Sequence, residues 1–266
     1  RDRDRQAETP VGGSGRGPST RVEPGHGKAG TRVTCAPCDL RPKIAPFGNY
    51  QTDPVRDPEI MMQVLELNRA NSGANIGLLM GMHRLRRKVF KDRLEWAVSV
   101  TGDLEMDRFD ALDASYLIVK DENSVLGSVR LLPTTGPNML ADTFPELLDG
   151  GIAPSCDSIA ESSRFCVDTT ATDTVTEGGL RQATFMLFAA MLEWGRARGL
   201  RSIATVTDVR MERILRRAGW PLDRLGAPRR LGVTVAVAGL LPIETAALDA
   251  IRANAGLVAP VLATRH

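Results

Sequence analysis

The stretch SIAESSRFCVD, residues 158–168, has the alternating apolar side chains of a core strand but also carries Glu161 and Arg164. Charged side chains are rarely buried unless they are paired. In a regular strand, side chains three positions apart point to opposite faces, so these two share a face only if a β-bulge lies between them. The stretch therefore predicts a core strand whose charges have a functional reason.

Strand and helix patterns alternate on both sides of this stretch, which indicates an α/β fold. Further strands are predicted at 61–67, 115–120, 125–132, 202–208 and 231–239. The second and third of these are separated by a turn and predict a hairpin. Helices are predicted at 76–94, 139–148 with a break at Pro145, 180–199, 210–219 and 243–256.

The composition is that of a globular protein, with 42% apolar residues, 25% charged residues and a formal net charge of +2. Residues 1–50 hold nine Arg or Lys and five Asp or Glu, so the remainder is slightly acidic, which argues against a nucleic-acid-binding protein. Four cysteines are too few for a disulfide framework, and no apolar run reaches the roughly 18 residues of a membrane span. We therefore expect a cytoplasmic protein without nucleic-acid or membrane partners.

Residues 1–60 are expected to form a disordered tail. Eight Gly and six Pro in the first 50 residues, with only Phe47 and Tyr50 as aromatics, cannot bury enough surface to offset the entropy of ordering. The folded domain is accordingly predicted to span residues 61–266, with Met61 as a candidate natural start. CAPC at 35–38 has half the spacing of a zinc site, but further ligands are not nearby, so we predict no metal site.

Charged residues beside apolar anchors are the remaining candidates for a functional site. They are Arg86 and Phe90 on one helical face, Trp96 beyond that helix, Asp107, Asp110 and Asp113 in a loop, Arg130, Glu161 and Arg164. Periodicity alone favours solvated surface pairs of little energetic value. None of the three histidines is placed for a catalytic triad, and His83 is predicted on the polar side of its helix.

The order of these blocks resembles the N-acyl-homoserine-lactone synthases, the autoinducer synthases of bacterial quorum sensing. The matching blocks are LRRKVF at 85–90, Trp96, MDRFD at 106–110, RLLPTTGPNML at 130–140, TFPELL at 143–148 and ESSRF at 161–165. Weaker similarity extends from Met61 to roughly residue 225, and the residues before Met61 have no counterpart.

The resemblance implies a three-layer α/β/α sandwich like that of the N-acetyltransferases, in which a splayed mixed sheet holds an acyl-pantetheine thioester. It also implies the reaction. An acyl group passes from an acylated acyl carrier protein to the amine of S-adenosylmethionine, and the product cyclises to a lactone with release of methylthioadenosine. S-adenosylmethionine is then a co-substrate, and no cofactor is expected.

Matched position by position, the resemblance assigns the candidate residues to two groups. The catalytic group is Glu161, Arg164, Asp110 and Arg130, and the substrate-binding group is Arg86, Phe90, Trp96, Asp107, Phe144 and Phe165. Acids suit the positive groups of S-adenosylmethionine, an arginine suits its carboxylate, and aromatic rings attract a sulfonium. Glu161 is the candidate general base, and a splayed strand or bulge beside it could offer backbone N–H groups to the thioester oxygen.

Two further expectations concern the acyl donor. Because acyl carrier proteins are acidic, a basic docking patch is expected, with Arg196, Arg198, Arg201, Arg213, Arg216 and Arg217 as candidates. For Arg196 and Arg198, stabilisation of a helix C-terminus is an equally good explanation. The acyl chain is expected among apolar residues such as Met139, Leu140, Phe185, Leu187 and Phe188, which could equally be plain core.

Two alternatives remain at this point. The first is an acetyl-coenzyme A dependent N-acetyltransferase of the same architecture. TEGGLRQA at 176–183 lacks the glycine-rich pattern that holds a pyrophosphate at a helix start, and this alternative does not explain the acidic residues 106–110. The second is an inactive relative that serves as a binding module, and the presence of every matched charge argues against it.

Overall fold

A mixed sheet with helices on both faces forms the described part of the chain, which is residues 62–122, 124–171, 175–176 and 180–262 of a computed structural model. The predicted tail at 1–60 and the cysteine pair at 35–38 lie outside the described residues. The strands are β1 Gln63–Leu67, β2 Val100–Thr101, β3 Leu104–Glu105, β4 Ser115–Lys120, β5 Val125–Pro133, β6 Ile159–Val167, β7 Ser202–Asp208, β8 Asp223–Arg224, β9 Arg229–Leu231 and β10 Thr234–Pro242. The helices are α1 Ile76–Arg86, α2 Met139–Asp142, α3 Gln182–Ala197, α4 Val209–Arg217 and α5 Thr245–Ala255.

The main sheet has the order β1-β4-β5-β6-β7-β10-β8, with β9 also paired to β10 and β2–β3 forming a separate hairpin. The pair β6–β7 is parallel, and the other pairs in the main sheet are antiparallel. Residues of α3, α4 and α5 pack on one face, and residues of α1 and α2 pack on the other. The predicted three-layer α/β/α sandwich is confirmed, as is the hairpin of β4 and β5. None of the described helices combines the length and apolar character needed to cross a bilayer.

The sheet splays between its two parallel strands. β6 and β7 pair from Ile159 with Ser202 to Ser162 with Thr205, and the pairing ends there. Beyond that point, β6 continues beside β5 and β7 continues beside β10. The centre of the sheet therefore opens at Ser162, next to the charged residues of β6.

A β-bulge in β6 explains how Glu161 and Arg164 come to lie on one face of the sheet. Ser128 pairs with Cys166 while Arg130 pairs with Ser163, so Val129 of β5 faces two residues of β6. Arg164 occupies this bulge in a left-handed conformation, with φ of 54°. Its side chain consequently lies on the same face as that of Glu161, because the extra residue shifts the alternation of the strand.

The predicted helix at 76–94 is α-helical only as far as Arg86. Residues Arg87–Arg93 continue as a π-helix, in which hydrogen bonds join residues five apart, as in the bond from the Leu94 N–H to the Val89 carbonyl at 3.0 Å. The expectation of one uniform helix was therefore wrong beyond Arg86. By contrast, the predicted helix at 180–199 corresponds to α3, which is buried almost all round and is followed by Gly199 at φ of 68°.

Candidate active site

Three arginines and three carboxylates form a buried network between the end of α1, β3 with the turn that follows it, and the centre of the sheet. We call this network the ionic cluster; its members are Arg86, Arg130, Arg164, Glu105, Asp107 and Asp110. The formal charges of these six side chains sum to zero. Arg164 and Asp107 retain side-chain exposures of 11% and 13%, whereas the other four are at most 2% exposed, so these two form the accessible edge of the cluster.

Arg86 lies at one end of the ionic cluster, where its guanidinium is shared between two acids. Its Nε donates to Glu105 Oε2 at 2.5 Å, and its Nη1 and Nη2 donate to the two oxygens of Asp110 at 2.7 and 2.9 Å. The contact with Asp110 is bidentate, which fixes both distance and plane. The end of α1 is thereby attached to residues 105–110.

Arg130 and Arg164 complete the ionic cluster from adjacent strands. Arg130 donates to both oxygens of Asp107 at 2.6 and 3.1 Å, to Asp110 at 2.9 Å and to Ser163 Oγ at 3.1 Å. Arg164 Nε donates to Glu105 Oε1 at 3.0 Å, and its Nη2 lies 2.7 Å from Asp107 Oδ2. Each carboxylate therefore contacts two arginines, so no charge of the cluster is buried without a partner.

The spacing of Asp107 and Asp110 is explained by the short helix that they begin. Asp107 Oδ1 accepts a hydrogen bond from the Phe109 N–H at 2.9 Å, and Asp110 Oδ2 accepts one from the Asp107 N–H at 2.8 Å. This reciprocal arrangement is a capping box around the 3₁₀-helix Arg108–Ala111. Backbone N–H groups thus orient both carboxylates, in addition to their arginine partners.

Electrostatics keep Asp110, Arg86 and Arg130 in their charged forms. Burial opposes ionisation of Asp110, but hydrogen bonds and charges from Arg86 and Arg130 hold its pKa far below the usual value. Burial likewise opposes the charge of Arg86, yet Asp110 and Glu105 raise its pKa above the usual value. Tyr116 donates to Asp110 at 2.8 Å, and burial together with that acid raises the pKa of the phenol.

Glu161 lies beside the ionic cluster without an ion-pair partner in it. Its two oxygens accept backbone N–H groups of Met139 at 3.0 Å and Leu140 at 2.5 Å, at the first turn of α2. Burial raises the pKa of Glu161, and these two N–H groups offset only part of that effect. Met139 connects the two parts of the site, because its Sδ lies 3.2 Å from Arg130 Nη2 and 3.4 Å from Arg164 Nη1.

One of the four predicted aromatic residues, Phe90, lies against the ionic cluster, and a second, Trp96, stacks on it. Phe90 and Trp96 stack with ring centroids 5.3 Å apart, and the guanidinium carbon of Arg164 lies 5.6 Å from the Phe90 centroid. Phe144 is half-buried, and its N–H donates to the Met139 carbonyl at 3.0 Å. Phe165 is not brought to the cluster; it lies on the opposite face of the sheet, 5.3 Å from the Phe188 ring.

One member of the ionic cluster, Glu105, was not among the residues predicted from the sequence. Glu105, which is fully buried and contacts two arginines, was missed although it precedes Asp107 by two positions, the spacing that puts side chains on one side of an extended segment. Asp113 is exposed and lies outside the cluster. The expectation for His83 was wrong: the ring is buried, and its Nδ1 lies 2.9 Å from the Glu105 carbonyl.

The residues proposed for the acyl donor fall in different parts of the fold. All six candidate docking arginines are exposed, although Arg198 also pairs with Glu66 at 2.7 Å. Phe185, Leu187 and Phe188 belong to the core on the α3 side. Met139 and Leu140 belong to cores on the other side, so these five apolar residues do not line one pocket. In the described part of the chain, His, Cys, Asp and Glu side chains form no group of three or more that could hold a metal ion.

Comparison with known proteins identifies this arrangement. The sequence pattern of the autoinducer synthases matches residues 74–251, which include every member of the ionic cluster and Glu161. The chain belongs to the autoinducer synthase family. It is therefore an enzyme of the acyl-homoserine-lactone synthase class, an acyltransferase, and the acetyltransferase alternative is not supported.

Individual autoinducer synthases agree with this assignment. The acyl-homoserine-lactone synthase of Agrobacterium fabrum strain C58 is 48% identical over 169 residues, which are 63% of this chain and 80% of that protein. The crystal structure of the AHL synthase LasI superposes with a TM-score of 0.66 at 32% identity, over 77% of this chain and 99% of the other. The CoA-dependent acyl-homoserine lactone synthase BjaI, solved with SAM and isopentyl-CoA, shares the fold with a TM-score of 0.69 at 24% identity, over 76% and 93% of the two chains.

Proposed function

We propose that the chain makes N-acyl-homoserine lactones from S-adenosylmethionine and an acylated acyl carrier protein, with release of methylthioadenosine. The observation that carries this proposal is the ionic cluster, whose accessible edge presents one carboxylate, Asp107, and one guanidinium, Arg164. S-adenosylmethionine carries an ammonium, a sulfonium and a carboxylate. An edge with one charge of each sign, beside stacked aromatic rings, complements that set of charges.

In this proposal, the edge of the cluster holds the amino-acid end of S-adenosylmethionine. Arg164 pairs with the substrate carboxylate and Asp107 with its ammonium, while the stacked rings of Phe90 and Trp96 lie against the sulfonium. The four inner charged side chains are buried, so they do not reach the substrate and instead hold the two edge residues in place. Fixed groups lose little freedom on binding, which favours affinity.

Acyl transfer requires an unprotonated amine, and Glu161 is our proposed base. The amine nitrogen attacks the thioester carbonyl carbon, the carbon–sulfur bond breaks, and the carrier thiolate leaves. The amine proton passes to Glu161 directly or through a water molecule, since each carboxylate oxygen has a second lone pair beyond the backbone N–H that it accepts. A pKa raised by burial makes this carboxylate a stronger base than an exposed one.

The splay of the sheet supports the position that we propose for the thioester. Pairing between β6 and β7 ends at Ser162 and Thr205, so backbone N–H groups beyond Ser162 can donate to the developing oxyanion. After the transfer, the carboxylate of the methionine part attacks the carbon next to its sulfonium. That carbon–sulfur bond breaks with its electron pair moving to sulfur, and methylthioadenosine leaves as the lactone closes.

The identity of the acyl donor needs its own test. BjaI, which shares this fold, is CoA-dependent, so coenzyme A thioesters are the alternative to the carrier protein. We propose the carrier protein as donor here, since the exposed arginines at the ends of α3 and α4 complement an acidic protein. With S-adenosylmethionine and matched series of acyl-carrier-protein and acyl-coenzyme A thioesters, we expect methylthioadenosine and lactone in equal amounts with the carrier series. Equal efficiency with the coenzyme A series would contradict the carrier protein as donor. Methylthioadenosine release that is absent, or that does not depend on a thioester, would contradict the proposed function.

A pair of variants links this activity to the ionic cluster. Asp107→Asn, at the accessible edge, should weaken S-adenosylmethionine binding, whereas Asp113→Asn, an exposed acid outside the cluster, should not. Equal affinities of the two variants would place the binding site elsewhere. The cytoplasmic setting expected for this reaction stays a prediction.

A further inference from the structure

The π-helix Arg87–Arg93 is the least regular element beside the proposed site. It continues α1 with hydrogen bonds between residues five apart, and it is followed by Glu95 in a left-handed conformation with φ of 54°. Such π segments are rare and mostly single-turn, and they are frequent at functional sites. An uncommon backbone arrangement persists only where its surroundings favour it over the ordinary one.

Two cations of the π-helix hold one short segment after β6. Lys88 Nζ donates to both oxygens of Asp168 at 2.8 and 3.0 Å and to Thr170 Oγ1 at 2.6 Å. Arg93 Nη1 donates to Thr169 Oγ1 at 2.7 Å and to the Val167 carbonyl at 3.3 Å. We call these contacts the 88/93 clasp.

The 88/93 clasp fits the π arrangement better than the α-helical one. Lys88 and Arg93 are five positions apart, which in an α-helix separates side chains by about 140° around the axis. In a π-helix, hydrogen bonds join positions five apart, so these positions lie on the same side of the helix, as positions four apart do in an α-helix. Both cations can therefore reach one short segment, residues 167–170, from the same side of the helix, and their contacts favour the π-helical form of residues 87–93.

The same segment follows the strand that carries Arg164, so the 88/93 clasp connects the two sides of the proposed substrate site. Phe90 lies within the π-helix, and its carbonyl accepts the Trp96 N–H at 2.8 Å, which places the second ring of the stack. The Phe90 ring in turn lies 5.6 Å from the Arg164 guanidinium carbon. A change from π to α would rotate Phe90 relative to Arg164 and separate these contacts.

We propose that Lys88, Arg93 and Asp168 are positioning residues, which keep residues 87–93 π-helical and thereby hold Phe90 and Trp96 against the sulfonium of S-adenosylmethionine. This inference rests on the proposed function for the identity of the substrate. The clasp acts on placement more than on stability, because Lys88 is 48% exposed and exposed ion pairs contribute little to folding.

Charge reversal tests the clasp. Lys88→Glu and Asp168→Lys should each raise both KM and Kd for S-adenosylmethionine about fivefold, the size of a partly lost cation–π contact, with kcat changed less than about twofold. The double variant restores opposite charges and should return both constants to within about twofold of the parent. The matched control is Arg84→Glu, which breaks the exposed pair between Arg84 of α1 and Asp103 of the β2–β3 turn and should leave both constants unchanged.

A measurement without substrate separates this inference from the proposed function. Hydrogen exchange of the amides at 94 and 96 should become faster in both single variants and return to the parent rate in the double variant. Unchanged exchange and unchanged affinity in the single variants would overturn the clasp, as would a double variant no better than the singles. A parent that releases no methylthioadenosine while the exchange pattern appears would refute the proposed function and leave the positioning role intact.

Discussion

The two faces of strand β6 are both buried but are stabilised in different ways. Towards α3, Phe165 and Val167 join a continuous apolar core. Towards α1 and α2, Arg164 belongs to the ionic cluster and Glu161 lies beside it. Burying one large apolar side chain contributes about 1.5–3 kcal/mol, whereas the attraction within buried ion pairs is largely offset by desolvation. The charged face therefore adds little net stability, although it should tolerate the loss of a single charge poorly.

The largest effect should follow from replacing one buried side chain on each face of the sheet, at adjacent positions of β5. Arg130→Met leaves Asp107 and Asp110 short of a partner and should cost about 3–5 kcal/mol of unfolding free energy. Leu131→Ala on the opposite face should cost a similar 2–5 kcal/mol through a cavity. Urea denaturation measures both losses, and calorimetric titration should show that only Arg130→Met loses S-adenosylmethionine binding. If both variants bind S-adenosylmethionine equally well, the charged face has a structural role and does not bind the substrate.

The next effect concerns the proposed base. Glu161→Gln should lower kcat by about 10²–10⁴-fold with a much smaller change in S-adenosylmethionine affinity. Glu161 also anchors α2, so Asn138→Ala is the matched control: it removes the side chain that caps α2 by accepting the Ala141 N–H at 3.0 Å, and it keeps the carboxylate. Steady-state kinetics of both variants separate the two roles. Similar losses of kcat in both variants would show that Glu161 holds α2 in place and does not act as the base.

A smaller and graded effect is expected from pH. Because burial raises the pKa of Glu161, kcat/KM should fall about tenfold per pH unit below that pKa, starting at a higher pH than for an exposed glutamate. Glu161→Gln should lack this decline. The effect on stability has the opposite direction: the favourable contribution of this protonated carboxyl is complete below the unfolded pKa and is lost as the pH rises through the folded value. A pH–rate profile that still declines in the variant would assign the acid limb to another group.

The smallest effect compares two aromatic rings on opposite faces. Phe90→Leu should raise KM for S-adenosylmethionine a few-fold, about 0.5–1.5 kcal/mol, because it removes the stack with Trp96. Phe165→Leu should leave that KM within about twofold and instead lower stability, because this ring packs on Phe188. Kinetics and thermal unfolding of both variants provide the comparison. An equal rise in KM would show that substrate contacts extend to the α3 side.

Most of the fold was predictable from local patterns. The predicted hairpin, the buried helix that ends before Gly199, and the charged strand at 158–168 all occur near their predicted limits. The short strands β2, β3, β8 and β9 were missed, because two or three residues carry no usable alternation. The π-helix was also missed, since its apolar spacing resembles that of an α-helix over so few residues.

The order of sequence blocks predicted five of the six members of the ionic cluster, but it did not predict their geometry. The order of blocks named Arg86, Asp107, Asp110, Arg130, Glu161 and Arg164. It did not reveal Glu105, whose two arginine partners lie 19 and 59 positions away, and it placed Phe165 with the substrate-binding residues although that ring faces α3.

The amino-acid sequence by itself determined which chemistry is possible here, because residue types and their order define the charges, the apolar faces and the family. Tertiary structure decided which of these groups meet. A bulge turned Arg164 to the face of Glu161, and the parallel strands separated beyond Ser162. Both features arise from pairing between strands that are distant in the chain, and local spacing carries no information about such pairing.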